Sequence, residues 1–235
     1  MKNVGRYLLI LIGAIVLWNT FIMKPLRIFT VFLHELGHTA MAFAFGYGIK
    51  EFKVNFNESG YTIVQSKGWF SSFMIANGGY LGSVLFALLI LLLKDTFFKK
   101  YILGTIAIGF LVVTIRFSGL SFALIYAVIF AVAVLVIYMA QNDKLNDWII
   151  DIIGIASVAY AVYDTFVDTI LLQINLQFNL INGWRSGGHV TDAMQLSKMT
   201  GIPAIVWGII WLAIALAAVY ALLRRKSKVY GGRRR

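Results

Sequence analysis

Stretches of roughly 20 apolar residues follow one another almost end to end along this 235-residue chain, and each has the length needed to cross a bilayer as a helix. Hydrophobic residues make up 60% of the chain and charged residues only 13%, about half the usual share in a soluble domain. So little polar surface leaves the bilayer as the main solvent. The sequence predicts an all-α, polytopic membrane protein of about seven transmembrane helices, built as one membrane-embedded domain over 1–235.

The first run spans Tyr7 to Met23 and ends in Met23-Lys24-Pro25. No small-x-small cleavage site follows it, so it reads as a retained span. Pro25 suits the first turn of a second helix reaching Phe45, with Gly46 and Gly48 as stop signals. Further spans are expected over 71–93, 101–117, 120–140, 148–173 and 202–223.

Residues 49–67 differ in kind. Apolar and polar side chains alternate through Phe52-Lys53-Val54-Asn55-Phe56, Asn57-Glu58-Ser59-Gly60 has turn chemistry, and Tyr61-Thr62-Ile63-Val64 follows. This predicts a β-hairpin insertion. Open strand edges are not tolerated against lipid, so the hairpin must lie in water, at the interface or against protein.

Net charge is +11, but seven of the cations lie after the last span, in the 224–235 segment RRKSKVYGGRRR. Such a tail is expected on the cytoplasmic side, near anionic lipid, of a multi-pass cell-membrane protein; it does not indicate nucleic-acid binding. With seven spans, a cytoplasmic tail puts the N-terminus outside. Lys24, Arg27, Lys94, Lys99 and Lys100 then fall inside, while Lys2 and Arg6 stand against that orientation.

His34-Glu35-Leu36-Gly37-His38 is an H-E-x-x-H sequence. Residues four apart share a helix face, so both imidazoles can reach one zinc ion while Glu35 meets the zinc-bound water as general base. The chain has three His and three Glu, and ionisable groups inside a membrane are costly and usually functional. The bland alternative is a helix whose polar groups only bind neighbouring helices.

A catalytic zinc takes three protein ligands. Cys is absent, no Glu follows Glu58, and position 44, where a metzincin would place a third His, is Ala. The downstream choices are Asp and His189. Asp95, Asp143 and Asp147 read as solvated loop residues, and Asp151 as snorkelling near a span end. Asp164 and Asp168 lie four apart and deep in a span. Asp164 is expected to be the ligand, with Asp168 as the alternative or as a partner orienting a ligand His. Thr191-Asp192 reads as a helix cap and His189 as a loop residue, although both enter the site if the 174–200 segment folds inward.

These residues resemble the site-2 protease family of intramembrane zinc metallopeptidases, in its small B-like branch. The likeness rests on Leu33-His34-Glu35-Leu36-Gly37-His38, the β-rich segment after it, Gly79-Tyr80-Leu81-Gly82, the Asp164/Asp168 helix, Thr191-Asp192-Ala193, Thr200-Gly201-Ile202-Pro203-Ala204, Trp207 and Trp211. It implies peptide-bond hydrolysis in or beside the membrane, with zinc held by two His and one Asp. The Leu-Asp-Gly motif that carries the third ligand in better-known members is absent, so the likeness does not say which Asp serves.

Asn77 and Gly78 are candidates for positioning a substrate backbone; for Gly78 and Gly82, close helix packing is the favoured reading. The hairpin is a candidate edge for pairing with an extended substrate. The expected activity is zinc-dependent endoproteolysis of membrane proteins or membrane-associated peptides. The rivals are a membrane metal-binding or transport protein and a catalytically inactive interaction protein.

Overall fold

The computed structural model describes residues 2–181 and 190–232. Five helical stretches are long and apolar enough to cross a membrane: Trp69–Leu93, Phe97–Phe117, Phe122–Met139, Asp143–Phe178 and Ala204–Leu222. Their principal helices are α3 (Trp69–Leu93), α4 (Ile102–Phe117), α5 (Phe122–Met139), α6 (Asp143–Thr165) with α7 (Leu172–Phe178), and α9 (Ala204–Gly232). The two N-terminal runs do not stand as two such spans. α1 (Lys2–Val16) has 15 residues, about 22 Å of helix against a hydrocarbon core of about 30 Å. α2 (Lys24–Ala44) carries Lys24, Arg27 and Glu35 among its apolar residues. The chain bends by 119° between them, and the pair qualifies only together. The count is therefore five, or six with the bent pair as one span; seven is not reached among the described residues. Pro25 does sit in the first turn of α2, and Gly46 beyond its end takes a left-handed φ of 75°.

The chain divides into two compact units, Met1–Ala159 and Tyr160–Arg235. In the first, the expected hairpin forms from β1 (Ile49–Val54) and β2 (Gly60–Val64), paired antiparallel with Phe52 opposite Thr62. Its turn needs a left-handed residue, and Glu58 takes that place at φ 67°. Arg27 fixes it there, with Nε and Nη2 donating to the two Glu58 carboxylate oxygens at 2.7 and 2.8 Å. Phe56, before the turn, meets Phe122 at 5.6 Å between ring centroids. The hairpin thus runs beside α2. Phe52 of β1 is fully buried and packs on Phe32, which stacks at 3.9 Å on Phe110 of α4. On β1, Lys53 Nζ lies 2.7 Å from a Glu51 oxygen and holds that carboxyl below its ordinary range.

α2 and α3 meet backbone to backbone. A Cβ at Gly37 would lie 2.1 Å from the Gly78 carbonyl oxygen, and one at Gly82 would lie 2.6 Å from the Gly37 Cα. The packing reading of Gly78 and Gly82 thus accounts for what these glycines do in the fold.

Asp151 departs from expectation. It does not snorkel: it is completely buried between Lys94, 2.5 Å from its Oδ1, and Arg6, which pairs with its Oδ2. Burying one carboxylate requires such compensation, and here two cations from α1 and the end of α3 supply it. Asp147, read as solvated, pairs with Lys99.

In the second unit, the helix that carries Asp164 passes into a π-helical turn, Phe166–Leu171, that contains Asp168. π-turns inside α-helices recur at functional sites. Thr169 of that turn lies under Gly208 of α9, where a Cβ would come within 2.0 Å of its hydroxyl, so no larger residue fits at 208. α8 (Asp192–Thr200) is capped by Thr191, whose hydroxyl accepts from the Met194 N–H at 3.3 Å, and ends at Gly201 with φ 75°. The cap is Thr191 alone; Asp192 is the first residue of the helix. His189 and the last three Arg of the basic tail lie outside the described residues.

Candidate metal centre

His34 and His38 project from one face of α2, with their Nε2 atoms 3.2 Å apart. Two ligands of a tetrahedral zinc at 2.0–2.1 Å stand about 3.3–3.4 Å from each other. The pair therefore has the separation that a shared cation requires.

His38 is buried, and its Nδ1 lies 2.7 Å from the Ile75 carbonyl of α3. A carbonyl can only accept, so Nδ1 carries the proton and the Nε2 lone pair is left to face a ligand. The ring of His34 stands edge-on to Tyr80, with centroids 4.7 Å apart and planes at 88°. α3 thus orients both imidazoles, one by a backbone acceptor and one by an aromatic wall.

Between Ile75 and Tyr80 comes Gly79. A Cβ built there would lie 2.4 Å from His34 Nε2 and 2.5 Å from His38 Nε2. The absence of a side chain at 79 keeps open the space in front of both nitrogens. This cradle, with imidazole tips at metal-ligand spacing, fits a zinc ion. Gly79 was quoted in the sequence only as part of a glycine-rich segment; its place opposite the motif depends on how α3 docks on α2.

Glu35 is 4% exposed and turned toward the hairpin. Thr62 Oγ1 of β2 donates to its Oε2 at 2.8 Å. Thr39 Oγ1, one turn along α2, donates to the Glu35 carbonyl at 2.9 Å. Gly60 leaves room for the carboxylate, since a Cβ there would lie 2.8 Å from Oε1. Sequence pattern located the hairpin but not these contacts. Asn77 is buried on α3, and its amide nitrogen donates to the Phe73 carbonyl at 2.9 Å.

The remaining candidates belong to the second unit. Asp164, Asp168 and Asp192 are all partly buried: Asp164 in the last turn of α6, Asp168 in the π-turn, and Asp192 in the first turn of α8. The helix dipole favours an anion in the first turn of a helix.

A family model described as Peptidase M50B-like matches residues 7–222. No curated protein and no solved structure matches the chain.

Proposed function

Because the chain belongs to the Peptidase M50B-like family, we propose that it is a zinc-dependent intramembrane endopeptidase that cuts membrane proteins or membrane-associated peptides. The observation that carries this reading is the pair of imidazole nitrogens 3.2 Å apart, facing the side-chain-free surface of Gly79, with Glu35 on the same helix.

His34 and His38 are two of the three metal ligands. For the third we favour Asp192. Two imidazoles and one carboxylate are a set suited to zinc, and Asp192 lies in the first turn of α8, where the helix dipole favours an anion. Asp164, first choice from sequence alone, and Asp168 are the alternatives, and zinc content separates the three. Asp192→Asn should lower it well below one per chain; Asp164→Asn and Asp168→Asn should retain it. Loss of zinc in Asp164→Asn with retention in Asp192→Asn would reverse the assignment.

Zinc supplies the Lewis acidity that makes water nucleophilic near neutral pH and polarises the scissile carbonyl. Glu35 accepts a proton from the attacking water and delivers it to the leaving amine. The α2–α3 contact and the aromatic packing around Phe32 exclude lipid from behind the motif. β2 offers an edge on which an extended substrate segment pairs by strand addition, and Asn77 is a candidate for holding the substrate backbone.

The deciding experiment uses the full chain, purified with zinc and given a membrane-anchored peptide. The wild type should cleave it, a chelator should stop cleavage, and zinc should restore it. Glu35→Gln should keep zinc and lose cleavage. A Glu35→Gln chain that still cleaves refutes the mechanism; a zinc-replete wild type that cleaves nothing favours metal handling without proteolysis.

A further inference from the structure

β2 meets Glu35 through two residues of one strand face. Thr62 donates its hydroxyl to Oε2 at 2.8 Å, and Gly60 lies against the carboxylate from the same side. Along β2 burial alternates, with Gly60, Thr62 and Val64 partly buried and Tyr61 and Ile63 exposed. The Thr62 hydroxyl also lies 3.3 Å from the Glu35 carbonyl oxygen. That oxygen already accepts from Thr39 at 2.9 Å, and the carboxylate oxygen is the nearer acceptor for Thr62, at 2.8 Å. The single Thr62 proton therefore goes to the carboxylate.

The strand itself is pinned. Arg27 grips Glu58 in two parallel hydrogen bonds just before β2 begins. Lys24 Nζ stands 3.5 Å above the Phe56 ring, and Phe56 packs on Phe122. The hydroxyl thus reaches Glu35 from a strand fixed in place, not from a loose loop.

We propose that Thr62 is a positioning residue for Glu35: it holds the rotatable carboxylate aimed at the reacting water while the strand that carries it seats the substrate. The role rests on the peptidase reading. It makes one element responsible for both substrate register and base orientation. A catalytic group must be held within about 0.5 Å of its working geometry, and a 1 Å misplacement costs about 100-fold in rate. Glu35 turns about three side-chain bonds, so its aim depends on what it is tied to.

The test uses the zinc-loaded full chain and a membrane-anchored peptide. Thr62→Val keeps the shape and the strand preference but removes the donor. It should lower kcat about 10- to 100-fold, leaving KM within about twofold and zinc content unchanged. Thr62→Ser restores the donor and should recover most of kcat. A readout independent of turnover is the Glu35 carboxylate stretch, isolated by infrared difference against Glu35→Gln. It should shift in Thr62→Val and stay in place in Thr62→Ser. Gly60→Ala, which presses on the same carboxylate, should lower kcat without loss of zinc.

An active wild type beside a Thr62→Val chain of normal kcat overturns the role of Thr62 alone. So does a Thr62→Ser chain as impaired as Thr62→Val, or a Thr62→Val chain that loses only KM. A wild type that binds zinc and cleaves nothing overturns the peptidase reading and this role with it.

Discussion

Replacing Gly79 with Ala adds one methyl group at the place where α3 faces the imidazole pair. That carbon would lie 2.4 Å from His34 Nε2, 2.5 Å from His38 Nε2 and 2.6 Å from His34 Cε1. Ordinary van der Waals contact begins near about 3.5 Å, so the two rings must retreat by roughly 1 Å. Zinc sites tolerate departures of about 0.2 Å from ideal metal–ligand distances. The forced movement is about five times that tolerance. Disturbing a group that merely orients a ligand costs 10- to 100-fold in metal affinity. Displacing both ligands should cost more than about 100-fold. The helix itself should not suffer, because Ala is favoured over Gly in a helix interior by about 1 kcal/mol. Competition against a chelating dye would measure the affinity, and elemental analysis the stoichiometry, with circular dichroism reporting helix content. Gly48→Ala is the control, since nothing lies within 4 Å of a Cβ there. If Gly79→Ala binds one zinc per chain with wild-type affinity, the cradle is not where the cation sits.

Two other predictions concern the Asp151 cluster and the membrane topology. Asp151→Ala leaves Lys94 and Arg6 without their shared anion and should destabilise the protein by about 3–5 kcal/mol, read as earlier thermal unfolding in detergent; a transition unchanged from wild type would deny the cluster its role. The same ion pairs bring the start of α1 to the end of α3, and this predicts an even number of crossings between them. If the bent pair is one span, six crossings predict the N-terminus, the 94–100 segment and the C-terminal tail on one side, which the positive-inside rule would make the cytoplasmic one, with Lys50, Lys53 and Lys67 as the exceptions. Because the chain has no Cys, single Lys2→Cys and Ser227→Cys variants can be labelled cleanly by impermeant maleimide. Both should react from the cytoplasmic side only, and labelling from opposite sides would exclude the six-span topology.

What could be read from sequence was local. The H-E-x-x-H spacing put both imidazoles on one helix face because four residues make about one helical turn. Alternation from Phe52 to Phe56 and the Asn57–Gly60 turn revealed the hairpin because strand and turn signals act within a few residues. The Thr191 cap before Ala193 was visible for the same reason. Other features needed information from distant parts of the chain. Asp151 resembled a snorkelling residue because its partners come from positions 6 and 94. Gly79 carries no signal of its own and gains its place only when Gly37 admits α3 closely. Thr62 meets Glu35 because Arg27 ties down the hairpin turn. The bend between α1 and α2 was hidden because hydropathy records the length of an apolar run but not its direction.

The Asp151 cluster also bears on how the protein is made. A ribosome releases Arg6 first, Lys94 much later and Asp151 later still, so both cations enter or approach the bilayer before their counter-ion exists. Until that carboxylate emerges, α1 has no neutralising partner there and can remain near the headgroups, where a positive side chain is tolerated. Final seating of the amino-terminal segment would then follow synthesis of α6. A translation product truncated before Asp151 should leave Arg6 accessible to water-soluble reagents.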